Sequence, residues 1–430
     1  MTIMRKYNVL VFPAGTEIAM EIWNALKYSK HFTLFGATSV PCHAEFVFKK
    51  CFTVPYSDDP DLIDSLNEII EEWGIDFIYP AHDSALLFLT QAREHLNAKV
   101  VSSCLETVGT CRSKKKTYLH LHNRGADYLP ETFFADEVKN FPVFIKPDVG
   151  QGSEGARRID FPSQLDLALN EDRDYVICEL LPGREATVDC FTDKDGILRY
   201  VGPRTRERIR NGIAVRSRTL ELEEDILHIA IHLNKSFLFK GAWFFQIKKD
   251  KNDKWKLLEV APRIAGTMGL TRNLGINLPM LTLFTMMGEN VSIPTPNSGL
   301  MVDRALISRY KYRIDYDRVY VDYDDTLVVN GKVNPLLMAF LYQAKDKGKR
   351  LYLLTRHIGD IFEDLERMNI PLSLFDSVTS VCSDGFKTDH IKSPAILIDD
   401  SFNERLYVKS VLGIPVFDTD MVESLIDWRV

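Results

Sequence analysis

The sequence predicts an α/β protein of three domains: a doubly wound parallel sheet, then an α+β domain, then a small Rossmann-like domain. Two observations lead to this prediction. Short apolar runs alternate with amphipathic helices at both ends of the chain, a rhythm typical of parallel sheets. Between them lie longer strands with hairpin signals. We place the domains at residues 1–105, 106–311 and 312–430.

Length and composition agree with this division. The 430 residues correspond to about three domains of ~150 residues each. A composition of 45% hydrophobic and 26% charged residues is too apolar for general disorder. The formal net charge of −7 gives no electrostatic reason to expect a nucleic acid or an anionic membrane as partner.

Targeting signals and disulfides are not expected either. The apolar stretches are shorter than the ~20 residues of a membrane span. The segment from Met4 to Phe12 faintly mimics a signal peptide, but Glu17 and Glu21 follow it at once, so we predict a first β-strand. Seven cysteines without a Cys-x-x-Cys motif do not form a disulfide scaffold or a structural zinc site. We therefore predict a soluble, cytoplasmic protein.

The first domain alternates strands and helices. The pattern predicts the strands Asn8 to Phe12, Thr33 to Thr38 and Asp76 to Tyr79, and the helices Glu17 to Tyr28 and Asp61 to Trp73. Parallel sheets of this kind bind ligands beyond the carboxyl ends of their strands. The loops that follow two of these strands contain Thr16, His82 and Asp83, and a substrate role for His82 and Asp83 is one alternative.

A glycine-rich segment follows the strand Val143 to Lys146. Its formal G-x-G-x-x-G pattern, which includes Gly152 and Ser153, runs into a second strand and not into a helix. It therefore predicts the tip of a hairpin, which can place backbone N–H groups over phosphate oxygens. Lys146 would add a positive charge for phosphate. Taken alone, the segment could equally be an ordinary turn beside a surface lysine.

Further polar residues follow in a fixed order. The segment Cys178 to Asp189 contains Glu179, Leu181 and Glu185, Gln246 lies in a later strand, and Glu259 and Arg263 end another. With these, residues 1–300 resemble the ATP-grasp superfamily, particularly the branch near the carbamoyl-phosphate synthase large chain and related amino-acid ligases. The resemblance implies an N-terminal α/β domain followed by two subdomains that clamp a nucleotide.

The resemblance also implies roles for individual residues. Lys114 and Lys146 would contact the ATP phosphates, and Gly152 and Ser153 would lie in the loop over them. The backbone from Glu179 to Leu181 would hold adenine, and Glu185 the ribose hydroxyls. Gln246 and Glu259 would bind Mg²⁺, with Mn²⁺ as an alternative ion, and Arg263 would stabilise the transferring phosphoryl group. Hard oxygen ligands and cations are what phosphoryl transfer requires.

Three features of this region leave alternatives open. Ala261 stands where the family usually has Asn, and Ser113 stands where an acidic residue is common before the lysine. Ala261 cannot coordinate, so one Mg²⁺ would be bound more weakly or completed by water. The alternating arginines from Arg204 to Arg218 predict a strand with one cationic face, which would either grip a substrate carboxylate or form a solvated edge.

The last domain carries a separate acidic motif. Asp322, Asp324 and Thr326 follow the apolar strand Val319 to Val321, and Thr355, Lys387 and Asp399-Asp400 follow at later strand ends. Clustered acids after a buried strand are costly unless a cation neutralises them. This order resembles the haloacid dehalogenase-like (HAD) phosphohydrolases, and the short segments between the motifs leave no room for a large cap domain.

The second resemblance implies a covalent mechanism. Asp322 would attack phosphorus and form an aspartyl-phosphate, and Asp324 would protonate the leaving group and then activate water. Thr355 and Lys387 would hold the phosphoryl oxygens. Asp322, Asp324 and Asp400 would bind Mg²⁺, with Asp399 as a less favoured ligand than Asp400.

The sequence therefore predicts a bifunctional enzyme. An ADP-forming ligase would join a small-molecule carboxylate to an amine through an acyl-phosphate, and a Mg²⁺-dependent phosphatase would act on a phosphorylated small molecule. The alternative is a phosphatase regulated by an ATP-sensing domain that does not turn ATP over. Dimers are common among the ligases that the chain resembles, so a homodimer is one expected state.

Overall fold

The computed structural model describes residues 5–152, 154–210, 212–293, 299–312, 314–382 and 384–429. The chain divides into two compact units, residues 1–306 and 307–430. Each unit is described by itself below. The division into three domains at residues 105 and 312 stays a prediction. In the described part of the chain, no helix is long and apolar enough to cross a membrane.

The first unit begins with a five-stranded parallel sheet. Its elements are β1 (Tyr7–Phe12), α1 (Glu17–Leu26), β2 (Phe32–Thr38), β3 (Cys51–Thr53), α2 (Leu62–Trp73), β4 (Phe77–Pro80), α3 (Asp83–Gln91) and β5 (Lys99–Val100). The strand order is β3-β2-β1-β4-β5, and all neighbours are parallel. The order reverses between β1 and β4, so a crevice opens beyond the ends of these two strands.

Both faces of this sheet are covered, which explains its nearly continuous apolar strands. Val9 and Val11 pack on one side with α1, and Leu10 packs on the other side with α2. Thr16 caps α1 by accepting a hydrogen bond from the Ala19 backbone. The loop after β1 is thereby fixed at the open edge of the sheet.

Six helices and three antiparallel sheets complete the described part of the first unit. The further elements are α4 (Leu105–Arg112), α5 (Lys114–His122), β6 (Thr132–Phe133), β7 (Val143–Pro147), β8 (Arg157–Ile159), α6 (Pro162–Leu169), β9 (Tyr175–Glu179), β10 (Glu185–Thr192), β11 (Leu198–Thr205), β12 (Arg208–Arg210), β13 (Ile213–Arg218), α7 (Glu224–Ser236), β14 (Gly241–Lys249), β15 (Trp255–Ala261), α8 (Gly269–Asn273), α9 (Leu278–Met287) and β16 (Met301–Asp303). The sheets have the orders β6-β9-β7-β8, β11-β10-β14-β15 and β12-β13-β16.

The second unit is built around another parallel sheet. Its elements are β17 (Arg318–Val321), β18 (Val328–Val329), β19 (Lys332–Val333), α10 (Pro335–Asp346), β20 (Arg350–Thr355), α11 (Ile361–Arg367), β21 (Ser377–Ser380), β22 (Ala395–Ile398), α12 (Phe402–Leu412) and β23 (Val416–Phe417). The order β21-β20-β17-β22-β23 places β17 at the centre. Residues that follow β17, β20 and β22 therefore meet at one edge of the sheet.

Candidate functional site

The glycine-rich segment lies at the end of an antiparallel hairpin, as predicted. β7 and β8 pair antiparallel, with Ile145 opposite Arg157. The segment between them is held at two points, by a hydrogen bond from Arg112 Nη1 to the Gly150 carbonyl (3.0 Å) and by a contact of 2.6 Å between Gln151 Nε2 and His82 Nε2. Ser153, which we expected beside the phosphates, lies outside the described residues.

Lys146, on β7 behind this loop, is a buried ammonium with neutral hydrogen-bond partners. Its side chain is 6% exposed, and Nζ donates to Tyr118 Oη (2.6 Å) and to the Leu258 carbonyl (3.1 Å). Burial lowers the pKa of Lys146, although nearby acidic groups, Glu259 among them, oppose this shift. A buried cation of this kind favours the arrival of an anion.

Lys114 lies close by, at the start of α5. Its Nζ donates to the carbonyls of Pro147 (3.0 Å) and Asp148 (3.4 Å), and burial lowers its pKa. Ser113 donates to both carboxylate oxygens of Asp148 and caps α5. Ser113, which stands where the family commonly has an acidic residue, thus has a structural role, because it fixes the position of Lys114.

The residues expected around adenine and ribose line one cavity of about 190 Å³. Glu179 is committed to Glu131: its backbone N–H donates to the Glu131 carbonyl, and its side chain accepts from the Glu131 N–H. Leu181 is buried. Glu185 Oε1 lies 2.6 Å from Arg206 Nε, and Glu185 Oε2 lies 3.9 Å from Lys248 Nζ.

The two predicted metal ligands of this unit are directly opposite each other. Gln246 on β14 pairs in register with Glu259 on β15, and opposed residues of antiparallel strands share one face of the sheet. An amide oxygen and a carboxylate on one face suit Mg²⁺. Ala261 instead packs with Phe244 and Ala265 in a small apolar cluster, so this position contributes no ligand.

Arg263, just beyond β15, is held by a residue of the N-terminal sheet. Its Nε and Nη2 donate to the two carboxylate oxygens of Asp83, at 2.7 and 2.5 Å, and Nη1 donates to the Ile264 carbonyl. Burial raises the pKa of Asp83, but the charge of Arg263 outweighs burial, so this pKa is lowered on balance. The strand-end position of Asp83 was the only sequence signal for this contact.

The arginine-rich stretch does not form the single strand that its alternation predicted. It covers the end of β11, then the hairpin of β12 and β13, because the chain turns back at Gly212 (φ +73°). Arg208 and Arg216 both pair with Asp303, and Arg218 pairs with Glu207 on the surface. Most of the stretch is therefore a solvated edge. Arg204 and Arg206 differ from it because they line the cleft.

These residues surround two cavities that share part of their walls. The larger has a volume of about 450 Å³ and is lined by the crevice of the N-terminal sheet, including Thr16 and Asp83, and by Arg263. The smaller contains Lys146 and the predicted adenine side. Lys114, Gly152, Gln246 and Glu259 line both cavities. The structure therefore gathers the described nucleotide and metal candidates of this unit around one cleft.

A second site lies in the C-terminal unit, at the edge where β17 and β22 end. Lys387 Nζ lies 2.9 Å from Asp322 Oδ1 and donates to Asp399 Oδ2 at 2.6 Å. All three side chains are buried. Burial raises the pKa of Asp322 to about 6 against the opposing effect of Lys387, and burial also raises the pKa of Asp399.

The other predicted residues surround this centre. Thr355 ends β20 and is buried. Asp324 is half exposed, and its Oδ2 lies 2.8 Å from Nδ1 of His357, a residue that the sequence analysis did not single out. Burial lowers the pKa of His357, but its contacts with Asp324 and with Asp364 raise it on balance.

The acids after β22 have different partners. Asp399 is committed to Lys387, whereas Thr326 Oγ1 donates to Asp400 Oδ1 at 3.2 Å. Ligand oxygens of Asp322, Asp399 and Asp400 lie within 4.8 Å of one another, a spacing that suits a divalent cation. This cluster shares Asp322 and Asp400 with the predicted Mg²⁺ site but contains Asp399 in place of Asp324, whose carboxylate contacts His357 instead. Asp400 is the more exposed of the two neighbouring acids.

Residues 171–305 match the model of a protein family described as ATP-grasp in the biosynthetic pathway with Ter operon. The matched segment contains Glu179, Glu185, Gln246, Glu259 and Arg263. No curated protein matches the chain.

Solved structures resemble this one over about two thirds of its length. Biotin carboxylase from Campylobacter jejuni, in its β,γ-ATP complex, has a TM-score of 0.57 and 17% identity, with coverage of 69% of this chain and 75% of its own. L-Amino acid ligase from Bacillus licheniformis has a TM-score of 0.53 and 19% identity, with coverage of 66% of this chain and 74% of its own. N5-Carboxyaminoimidazole synthetase from Staphylococcus aureus, complexed with ADP, has a TM-score of 0.55 and 13% identity, with coverage of 69% of this chain and 80% of its own. Together with the family match, these likenesses support a mixed α/β fold with ATP-grasp-like structural neighbours over this part of the chain. The HAD-like C-terminal domain stays a prediction.

Proposed function

We propose that residues 1–306 form an ATP-dependent, ADP-forming carboxylate–amine ligase. The observation that supports this most strongly is the single cleft lined by a buried lysine, Lys146, and a half-buried one, Lys114, both with neutral hydrogen-bond partners. The same cleft is lined by the ligand pair Gln246 and Glu259. Two of the structural neighbours are named as an L-amino acid ligase and as a synthetase complexed with ADP. Both names agree with this reaction class.

Each residue of the cleft has a role in binding or transfer. Lys114 and Lys146 hold the phosphate chain by charge. The backbone of residues 180–181 holds adenine, because Glu179 is already bonded to Glu131. Gln246 and Glu259 would hold Mg²⁺, or Mn²⁺ in its place, which when bound neutralises charge on the phosphoryl oxygens.

The reaction has two steps. A carboxylate oxygen of the substrate attacks the γ-phosphorus, the bond to the β–γ bridging oxygen breaks, and ADP leaves. The amine then attacks the carbonyl carbon of the acyl-phosphate, phosphate leaves, and the amine loses a proton to solvent. Arg263 stabilises charge on the transferring group, and Asp83 holds its guanidinium at the cleft.

The test is product analysis by mass spectrometry. The Asp322→Asn protein is incubated with Mg²⁺, ATP and pooled amino acids and small carboxylates, since this variant silences hydrolysis by the other unit. ADP together with a new condensed mass supports the ligase. Tight binding of ATP without its turnover supports the alternative of an ATP-sensing domain. This alternative is favoured by Ala261, which provides no metal ligand where the family usually has Asn.

A second activity is proposed for residues 307–430, a Mg²⁺-dependent phosphohydrolase of HAD type. The supporting observation is Lys387 between Asp322 and Asp399 at the end of the central strand. An aspartate that a lysine accompanies can attack phosphorus without full charge repulsion. Asp322 and Asp400 would hold Mg²⁺, which when bound screens the attacking carboxylate and the phosphoryl oxygens. The Asp324 carboxyl, which contacts His357 instead, is then free to carry a proton.

The remaining residues complete this mechanism. Asp322 attacks the phosphorus of a phosphorylated small molecule, and Asp324 protonates the departing oxygen. Asp324 then takes a proton from a water molecule, and the oxygen of this water attacks the phosphorus of the aspartyl-phosphate, so that phosphate leaves Asp322. His357 orients Asp324, and Thr355 and Lys387 hold the phosphoryl oxygens. The test is the rate of phosphate release from p-nitrophenyl phosphate, which we expect the parent protein to catalyse and the Asp322→Asn variant not to catalyse. Equal rates for the parent and the variant would contradict the proposal.

A further inference from the structure

Four side chains form one row across the central sheet of the first unit. Arg204 on β11 is opposite Thr187 on β10, Thr187 is opposite Gln246 on β14, and Gln246 is opposite Glu259 on β15. Opposed residues share a face of the sheet, and all four line the larger cavity. The row thus begins at the proposed metal ligands and continues two strands further.

The far half of the row carries polar atoms without a partner among the described residues. Thr187 and Arg204 are 1% and 2% exposed, yet Thr187 Oγ1 and Arg204 Nη1 have no hydrogen bond. Arg204 is not free to move, because Nε and Nη2 donate to Asp189 at 2.9 and 3.4 Å. Buried polar groups are nearly always hydrogen-bonded. Both residues line the larger cavity, so an oxygen acceptor of a ligand bound there would supply the partner that these two atoms lack.

The surroundings restrict the charge and shape of that ligand. Arg204 is already neutralised by the buried carboxylate of Asp189, which also accepts a hydrogen bond from Thr271. A second carboxylate would lie close to this one, whereas an uncharged oxygen would not be repelled. Phe244 and Ala261 occupy the next row of the sheet and form an apolar wall of the same cavity, which suits a carbon chain.

We propose that Thr187 Oγ1 and Arg204 Nη1 bind an uncharged carbonyl oxygen of the carboxylate substrate, so that the substrate class is an oxo or acylated acid. The inference rests on the proposed ligase, which places the reacting carboxylate beside Gln246 and Glu259. Thr187 is one strand away from Gln246, about 5 Å, and a short carbon chain spans that separation.

The experiment compares two acids that differ by one oxygen. The full chain, loaded with Mg²⁺ and a non-hydrolysable ATP analogue, is titrated with 4-oxopentanoate and with pentanoate, and the dissociation constants are measured by ligand-observed NMR. We expect 4-oxopentanoate to bind about tenfold more tightly, because pentanoate leaves both donors unpaired. Equal affinities would overturn the inference, as would the failure of both acids to bind a protein that binds the analogue.

Two variants remove one donor each and keep a side chain of similar size. Thr187→Val deletes the hydroxyl, and Arg204→Lys keeps a cation for Asp189 but lacks Nη1. Both should bring the affinity ratio near one and leave the affinities for pentanoate and for the ATP analogue unchanged. Matched controls are Thr132→Val on exposed β6 and Arg199→Lys, whose Nε pairs with Asp193 away from both cavities. An unchanged ratio in Thr187→Val and Arg204→Lys would overturn the inference.

Two further outcomes identify other failures. If glutarate binds more tightly than 4-oxopentanoate and loses this advantage in Arg204→Lys, the acceptor is a second carboxylate and the inference of an uncharged oxygen is wrong. If the ATP analogue itself does not bind, the proposed function fails, and the substrate inference fails with it.

Discussion

Arg263 and Asp83, 180 residues apart in the chain, form a two-point ion pair in which the nitrogen–oxygen distances are 2.7 and 2.5 Å. Their side chains are only 13% and 15% exposed. The contact joins the end of β15 to the crevice of the N-terminal sheet. The proposed catalytic arginine is thereby positioned by a residue from the opposite wall of the cleft.

Loss of this pair should destabilise the first unit. Asp83→Asn leaves a buried guanidinium without its counter-charge, so we expect the free energy of unfolding to fall by about 3 kcal/mol in urea titrations. The matched control is Glu154→Gln, which breaks the exposed pair with Arg173 and should cost less than about 1 kcal/mol. Equal losses would contradict the account.

The same pair predicts a pH dependence. The pKa of Asp83 is lowered in the folded protein, so its contribution is complete above the unfolded value of about 3.9 and is lost as the pH falls through the lower folded pKa. The stability difference between the parent protein and Asp83→Asn should therefore be constant near neutral pH and shrink below about pH 4. Urea titrations across this range measure it, and a constant difference in acid would be evidence against the pair.

Lys146 should bind phosphate at the expense of stability. Lys146→Met removes a buried charge, so the protein without nucleotide should unfold at an equal or higher urea concentration. At an ATP concentration of 100 times the parent dissociation constant, ATP should raise the free energy of unfolding of the parent protein by about 2.7 kcal/mol. In Lys146→Met this increase should be only about 1.4 kcal/mol if the affinity for ATP drops tenfold. Lys256→Met is the control, since Lys256 bonds the Asp127 carbonyl outside both cavities; a similar loss there would count against a specific role.

Gly212 should be needed for the close contact between the glycine loop and the β12–β13 turn. A Cβ atom at Gly212 would lie 2.0 Å from the Gly152 carbonyl carbon, so Gly212→Ala displaces the loop from the β12–β13 turn. We expect the dissociation constant of an ATP analogue to rise about tenfold. Gly196→Ala controls for backbone strain, because Gly196 has a similar positive φ but no neighbour within 4 Å of the added atom. Equal effects of the two variants would assign the loss to strain alone.

Asp400 should be a Mg²⁺ ligand of the second unit. In a Glu259→Gln background, where the other proposed metal site is disabled, Asp400→Asn should weaken Mg²⁺ binding at least about tenfold by calorimetry. Asp325→Asn is the control, since Asp325 is an exposed neighbour of the site with φ +51°, a conformation that Asn tolerates. Unchanged affinity in Asp400→Asn would transfer the role to Asp399.

The sequence predicted the order of elements well, because apolar runs and strand ends are local signals. The strands around Val9, Val143 and Val319 lie within a residue or two of their predicted positions. The prediction of a strand from Arg204 to Arg218 was wrong, because the alternation of charged residues does not reveal the turn at Gly212. Contacts such as Arg263 with Asp83 and Asp324 with His357 join distant segments, and no local pattern encodes the partner.

The measurement that tests the central claim most directly is a reciprocal assay of two variants, Glu259→Gln and Asp322→Asn. Each folded protein is assayed for ATP-dependent condensation and for hydrolysis of p-nitrophenyl phosphate. Two independent sites predict that Glu259→Gln abolishes only the condensation and Asp322→Asn only the hydrolysis. Loss of both activities in either folded variant would contradict the account of one phosphoryl-transfer site in each unit.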